Sequence, residues 1–191
     1  TAATALLILM FAERLGFTPF TGVVTGLVFG LATSAFVYAK YLFSEPLAGF
    51  LLLLAGYMLF AYRQEGGLGH LVIGGLAAGL AVLTRANNLF LLPVFGGYLL
   101  WILLKEAGSE AAQQEVKAPG ASWRMVSGLI RPMLTFGIAV ALSGAILLAY
   151  NGLRSGNPLQ TGYDLTLFST NILLGLYKLL LSPLRGFFIY S

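Results

Sequence analysis

The sequence predicts an all-α polytopic membrane protein with about six transmembrane helices plus an interfacial helix. Two observations carry that prediction. Hydrophobic residues make up 58% of the 191 positions and charged residues only 9%, against about 25% charge in a typical soluble domain. The polar residues are also gathered into short islands between apolar runs near the ~20 residues that a helix needs to cross a bilayer. The mean hydropathy, +0.87, agrees. The alternating pattern of a membrane barrel is absent.

The first island, Tyr38-Ala39-Lys40-Tyr41-Leu42-Phe43-Ser44-Glu45-Pro46, organises the rest. It separates apolar runs at 17–37 and 47–62, so the two runs form antiparallel neighbours and the island sits at one membrane surface. Ser44 is suited to capping the second of these helices, and Pro46 falls in its first turn, where a missing N–H costs nothing. Glu45 either complements the positive helix end or is a carboxylate at the mouth of a membrane cavity.

The remaining elements follow in order. Residues 1–11 read as the tail of a helix ending at Glu13-Arg14-Leu15-Gly16. The run 17–37 carries Gly22, Gly26 and Gly30 at four-residue spacing, a row that lets a neighbouring helix approach closely. The run 47–62 closes on Arg63-Gln64-Glu65-Gly66-Gly67, a polar turn. Residues 68–84 hold a second small-residue row, Gly75 and Gly79, and end at Arg85-Ala86-Asn87-Asn88. A fifth run, 89–104, follows at once, with Pro93 expected to tilt it. Residues 105–131 are polar and read as a cytoplasmic surface loop with a short helix before Pro119. Residues 132–150 form the sixth run. The last section, 151–191, reads as an outer loop with an interfacial helix, because Leu165, Phe168, Ile172, Leu176 and Leu179 recur at helical spacing among hydroxyls and Lys178. The whole chain reads as part of one transmembrane domain, an interior section of a longer protein.

Alternation places Lys40, Glu45, Arg85 and residues 151–190 on the outer side. Six of the eleven Lys and Arg residues then lie inside and five outside, which the positive-inside rule favours only weakly. Five basic residues on the outer side call for another reason, and Glu45 and Asp164 are the acids that accompany them. Arg85 either snorkels to headgroups or holds a ligand anion with its planar fork. Arg154 and Lys178, taken singly, read as lipid-headgroup contacts. Tyr38, Tyr41, Tyr57, Tyr62, Trp101, Trp123 and Tyr150 read as aromatic belts.

Several functions are excluded. There is no cysteine and a single histidine, His70, so thiolate chemistry, a Ser-His-Asp set and a histidine zinc site are not expected. No phosphate-binding loop of the soluble NTPase kind occurs. The basic residues are scattered singly, so no nucleic-acid surface is expected. No cofactor or metal is called for.

Four strings occur in order. They are Phe43-Ser44-Glu45-Pro46-Leu47, then Gly79-Leu80-Ala81-Val82-Leu83-Thr84-Arg85-Ala86-Asn87, then the stretch from Tyr150-Asn151-Gly152-Leu153-Arg154 to Gly162-Tyr163, and finally Ser182-Pro183-Leu184-Arg185-Gly186-Phe187. Together they resemble the middle of bacterial GT-C membrane glycosyltransferases of glycosyltransferase family 39. That group is related to protein O-mannosyltransferases and to the aminoarabinose transferases of lipid A. The resemblance implies an inverting transfer of a sugar from a polyprenyl-phosphate carrier to an acceptor, at the outer face of the cell's inner (cytoplasmic) membrane. It implies that the general base lies in a first outer loop that precedes this chain, and that a second acid falls on Glu45. Arg85 matches a basic position that holds the carrier phosphate. Lys40, Asn87, Arg154, Tyr163, Asp164 and Arg185 complete the implied substrate-binding set. The expected partners are the polyprenyl-phosphate-linked sugar and membrane lipid. The alternative reading is a non-catalytic structural subunit of a larger membrane complex.

Overall fold

The computed structural model describes residues 1–38, 44–113, 121–158, 174, 175, 177 and 180, with the side chains of 109–127 excepted. The chain forms two units, residues 1–148 and residues 149–191.

The first unit is built from helices joined by short turns over its described length. Helix α1 (Ala2–Arg14) turns at Gly16, whose φ of +90° belongs to glycine, into α2 (Pro19–Ala32). Thr18 caps α2 by accepting from the Thr21 N–H at 3.3 Å, and Pro19 takes the first helical position. The run expected as one helix over 17–37 is broken. Thr33 is extended, and a five-residue helix, α3 (Ser34–Tyr38), follows it. The break stands where Thr33 turns its hydroxyl back to the Phe29 carbonyl at 2.6 Å and also accepts from the Ala35 N–H at 3.2 Å. That local bonding competes with continuing the helix.

Helix α4 (Ser44–Glu65) holds 22 residues, which at 1.5 Å per residue is about 33 Å, a full span. Ser44 is its first helical residue rather than the position before it. Gly66 and Gly67, at φ +68° and +84°, reverse the chain into α5 (Leu68–Thr84). A 3-10 turn (Ala86–Leu91) leads to α6 (Leu92–Gln113), in which Pro93 occupies the second position. Pro93 therefore opens the helix instead of tilting it from within. Helix α7 runs over Ala121–Ser155 with Pro132 inside it. The polar segment 105–131 thus carries helix at both ends. Three helical stretches, Ser44–Glu65, Ala86–Gly108 and Gly128–Ser155, are long and apolar enough to cross a membrane, while α2 and α5 are shorter apolar helices.

The core joins Leu51, Ala55 and Leu59 of α4, Leu71, Ala77, Ala78 and Ala81 of α5, Leu99 and Leu103 of α6, and Phe136 of α7. Small residues set the spacing. A Cβ on Gly75 would lie 2.7 Å from both Ala139 Cβ and the Phe136 carbonyl oxygen; one on Gly79 would lie 2.6 Å from Ser143 Cβ and Oγ. Gly74 approaches Met58 of α4 in the same way, at 3.2 Å. Helix α5 is therefore wedged between α4 and α7. The other row, Gly22 and Gly26, meets the Leu9 and Ala5 backbone of α1 at 3.2 and 2.9 Å, while Gly30 faces open space.

The outward surface is as apolar as the core. Leu134, Ile138, Leu142 and Ile146 make an exposed stripe along α7, and Val23, Leu27 and Leu31 make another along α2. Helices that are hydrophobic all round belong in hydrocarbon, and the chain is an all-α multi-pass membrane protein. In the second unit α7 ends at Gly156, whose φ of +72° and N–H bond to the Gly152 carbonyl at 2.9 Å make a left-handed C-cap. The expected interfacial helix falls mostly outside the described residues; 174, 175, 177 and 180 are helical.

Candidate functional site

Two polar ends of the first unit emerge from this packing. Because α4 and α5 are antiparallel, the start of α4 and the end of α5 lie together, and so do the end of α4 and the start of α5.

At the first end α5 stops abruptly. Arg85 adopts an extended backbone (φ −150°, ψ 118°), and its N–H returns to the Ala81 carbonyl at 3.0 Å. Asn88 donates from Nδ2 to the same carbonyl at 2.8 Å, and its own N–H bonds the Arg85 carbonyl at 3.0 Å. Asn88 thus adds a second donor to a carbonyl that the Arg85 N–H already engages, tying the turn back to the end of α5. This turn fixes the base of the Arg85 side chain, which reaches across to α4 and donates from Nη1 to Glu45 Oε1 at 2.8 Å. The two side chains are 44% and 38% exposed, a rim position. Glu45 Oε2 is shielded and has no hydrogen-bond partner among the described residues.

The arrangement is a charge-assisted pair with one carboxylate oxygen still able to accept. Chemically, the guanidinium can share its donors with a second anion, and the carboxylate can orient a hydroxyl. Of the other sequence-derived candidates, Asn87 is exposed on the 3-10 turn beside Arg85. Arg154 lies in the last turn of α7, within the second unit. Lys40, Tyr163, Asp164 and Arg185 lie outside the described residues. No group of three or more metal-type ligands occurs among the described residues.

The second end holds contacts that sequence reasoning missed. Arg14 donates from Nε to the Tyr57 hydroxyl at 2.8 Å, pairs with Glu65 at 2.6 Å, and lies 5.0 Å from the Tyr57 ring centroid. Gln64 Nε2 donates to the Arg14 carbonyl at 3.1 Å. His70 faces Glu65 at 3.4 Å and the Gly66 carbonyl at 2.7 Å. Tyr57 was expected in an aromatic belt. It is instead 6% exposed and buried between α1 and α4, because its hydroxyl is the acceptor that lets Arg14 close over it. Its place near the middle of the 47–62 run, away from the run's ends, was the available signal. Nearby, Arg63 and Lys105 flank the Trp101 ring at 5.2 and 5.6 Å from its centroid.

A family model described as dolichyl-phosphate-mannose-protein mannosyltransferase matches residues 1–149. No curated protein and no solved structure matches the chain.

Proposed function

The chain belongs to the dolichyl-phosphate-mannose-protein mannosyltransferase family, membrane glycosyltransferases of the GT-C type, and from that premise we propose that it serves sugar transfer from a polyprenyl-phosphate carrier to an acceptor at the outer face of the cytoplasmic membrane. In such a transfer the acceptor oxygen bonds the anomeric carbon while the bond to the carrier's phosphate oxygen breaks. The electron pair leaves with the phosphate, and the acceptor proton passes to a carboxylate. Negative charge therefore grows on the carrier phosphate, and a preorganised cation beside it lowers the barrier.

The observation that supports this reading is the Glu45–Arg85 pair at 2.8 Å on the rim between α4 and α5. Arg85 is the phosphate-holding group. Glu45 holds Arg85 in place through Oε1 and orients the acceptor once a turn of its side chain brings the shielded Oε2 outward. Asn87, beside them, adds a neutral donor, and Lys40, Arg154, Tyr163, Asp164 and Arg185 are the further substrate-binding candidates that the family resemblance supplies.

The same pair favours one second reading. Arg85 already has a counter-ion, so the two residues alone could serve as a clamp in a non-catalytic subunit of a larger complex. Charge reversal separates the readings. In the full-length protein, Glu45→Arg combined with Arg85→Glu rebuilds the clamp but places an anion where the phosphate would sit. Loss of transfer with retained folding supports phosphate binding; unchanged transfer and unchanged carrier affinity refute it.

A further inference from the structure

The polar end of the bundle opposite Glu45 and Arg85 carries a feature that sugar transfer does not use. Arg63 lies in the last turn of α4, and Lys105 lies one helical turn beyond Trp101 on α6. Both cations are drawn to one indole: the Arg63 guanidinium lies 5.2 Å and the Lys105 ammonium 5.6 Å from the Trp101 ring centroid. Tyr98 stacks on the same indole at 5.8 Å. Between α4 and α6 the two cations border a notch of about 230 Å³, whose described lining is Arg63, Ile102, Lys105 and Glu106. That space is several times the ~30 Å³ share of a water molecule in the liquid.

We propose that this notch binds the phosphodiester headgroup of an anionic phospholipid. Three observations select that ligand. First, charge: among the described lining residues Arg63 and Lys105 against Glu106 leave one net positive charge, the complement of a singly charged phosphodiester. Glu65, another acid at this end, is engaged by Arg14 and His70. Second, geometry: two cations held against one ring can close on a single anion from two sides, with a fork on one side and a point charge on the other. Third, position: Trp101 is 48% exposed one turn before Lys105, where the apolar part of α6 gives way to charge, and Leu100 and Leu104 beside it are exposed at 41% and 54%. A phosphate seated in the notch has apolar helix surface along which its acyl chains can lie. A free phosphate ion would gain nothing from that surface. Basic notches between membrane helices recognise anionic headgroups by this combination of charge and depth. The proposal does not depend on the transfer reading.

The test uses the full-length protein carrying Trp123→Phe, which leaves Trp101 as the only one of the two tryptophans of this chain. Any tryptophan outside this chain is replaced likewise. The protein is placed in phosphatidylcholine vesicles that contain a minor fraction of phosphatidylglycerol. Either the phosphatidylglycerol or an equal fraction of the phosphatidylcholine carries brominated acyl chains, and quenching of Trp101 is read. Brominated phosphatidylglycerol is expected to quench more strongly at equal mole fraction. Arg63→Gln and Lys105→Gln are each expected to cut that preference about fivefold, the factor corresponding to ~1 kcal/mol per cation near a membrane surface. Lys105→Arg should keep it, as should Arg131→Gln, which removes a charge elsewhere. Excess inorganic phosphate should leave the quenching unchanged. Equal quenching by the two lipids, a preference that survives the double variant, or displacement by inorganic phosphate overturns the proposal. If the double variant does not fold, unbrominated phosphatidylglycerol is titrated as competitor into the Trp123→Phe protein. Competition no stronger than that of phosphatidylcholine is then the overturning result.

Discussion

Arg85 Nη1 lies 2.8 Å from Glu45 Oε1 although 40 residues of chain separate them, and the pair closes the open end of the α4–α5 hairpin, linking the first turn of α4 to the residue that follows α5. Both side chains are more than a third exposed, so the pair contributes only about 0.2–1 kcal/mol to stability. Arg85→Gln should therefore leave thermal unfolding in detergent nearly unchanged. On the proposed role it should lower transfer by about 10²–10³-fold, the cost of removing one preorganised donor. A variant that is folded and fully active would remove Arg85 from the mechanism.

The wedge position of α5 predicts a sharp contrast among glycines. Gly75→Ala and Gly79→Ala each drive a methyl to within 2.7 Å of α7 atoms, including the Phe136 carbonyl at Gly75, and should cost about 1–3 kcal/mol through overpacking. Gly56→Ala, on α4 with open space around it, should be neutral or stabilise by up to about 1 kcal/mol through helix propensity. Equal melting temperatures for all three variants would contradict the packing.

Ser143 is 1% exposed, and its hydroxyl lacks a hydrogen-bond partner among the described residues. A buried polar group left unpaired costs about 1–3 kcal/mol. Ser143→Ala keeps the Cβ that faces Gly79 and deletes the orphan oxygen, so it should raise stability by about 1 kcal/mol. Denaturation in a mild-to-harsh detergent series checks the sign. A clear loss of stability would mean that the hydroxyl has a partner.

Tyr57→Phe isolates the junction of α1 with α4. The change keeps the ring, including its edge contact with Phe11 at 5.6 Å, and removes only the oxygen that accepts from Arg14. A hydrogen bond to a charged donor is worth about 1.5–3 kcal/mol when shielded. Arg14 is 25% exposed, so about 1 kcal/mol is expected. Limited proteolysis should show α1 released earlier than in the unmutated protein; an unaltered cleavage pattern would count against the network.

Much of the architecture could be read from the residues. Alternation of apolar runs and polar islands brought Glu45 and Arg85 to one surface, and the glycine rows marked the faces of closest approach. The partner of each row could not be read. Nothing in the spacing of Gly75 and Gly79 distinguishes α7 from α4, because in lipid every neighbouring helix is equally apolar. The stop at Thr33 was hidden for a different reason: hydropathy does not register a hydroxyl bonding its own backbone. A short helix before Pro119 was expected, but that it is the continuation of α6 past Leu104 was hidden by the charges, since Glu, Lys, Ala and Gln favour helix whether or not lipid surrounds them. Tyr57 was masked by its type, tyrosine being read as an interface residue when this one is an acceptor for Arg14.

The glycine contacts of α5 have a mechanical consequence. Backbone pressed on backbone has no rotamers to adjust, so α5 cannot creep along its axis. A slip of a whole turn, about 5.4 Å, would bring Leu71 or Leu83, the next residues in the same row, into a slot that admits only hydrogen. Arg85 rides on the end of that locked shaft. Its elevation above the bilayer midplane is consequently indexed rather than adjustable, and compliance at the rim is confined to the torsions of its own side chain and that of Glu45.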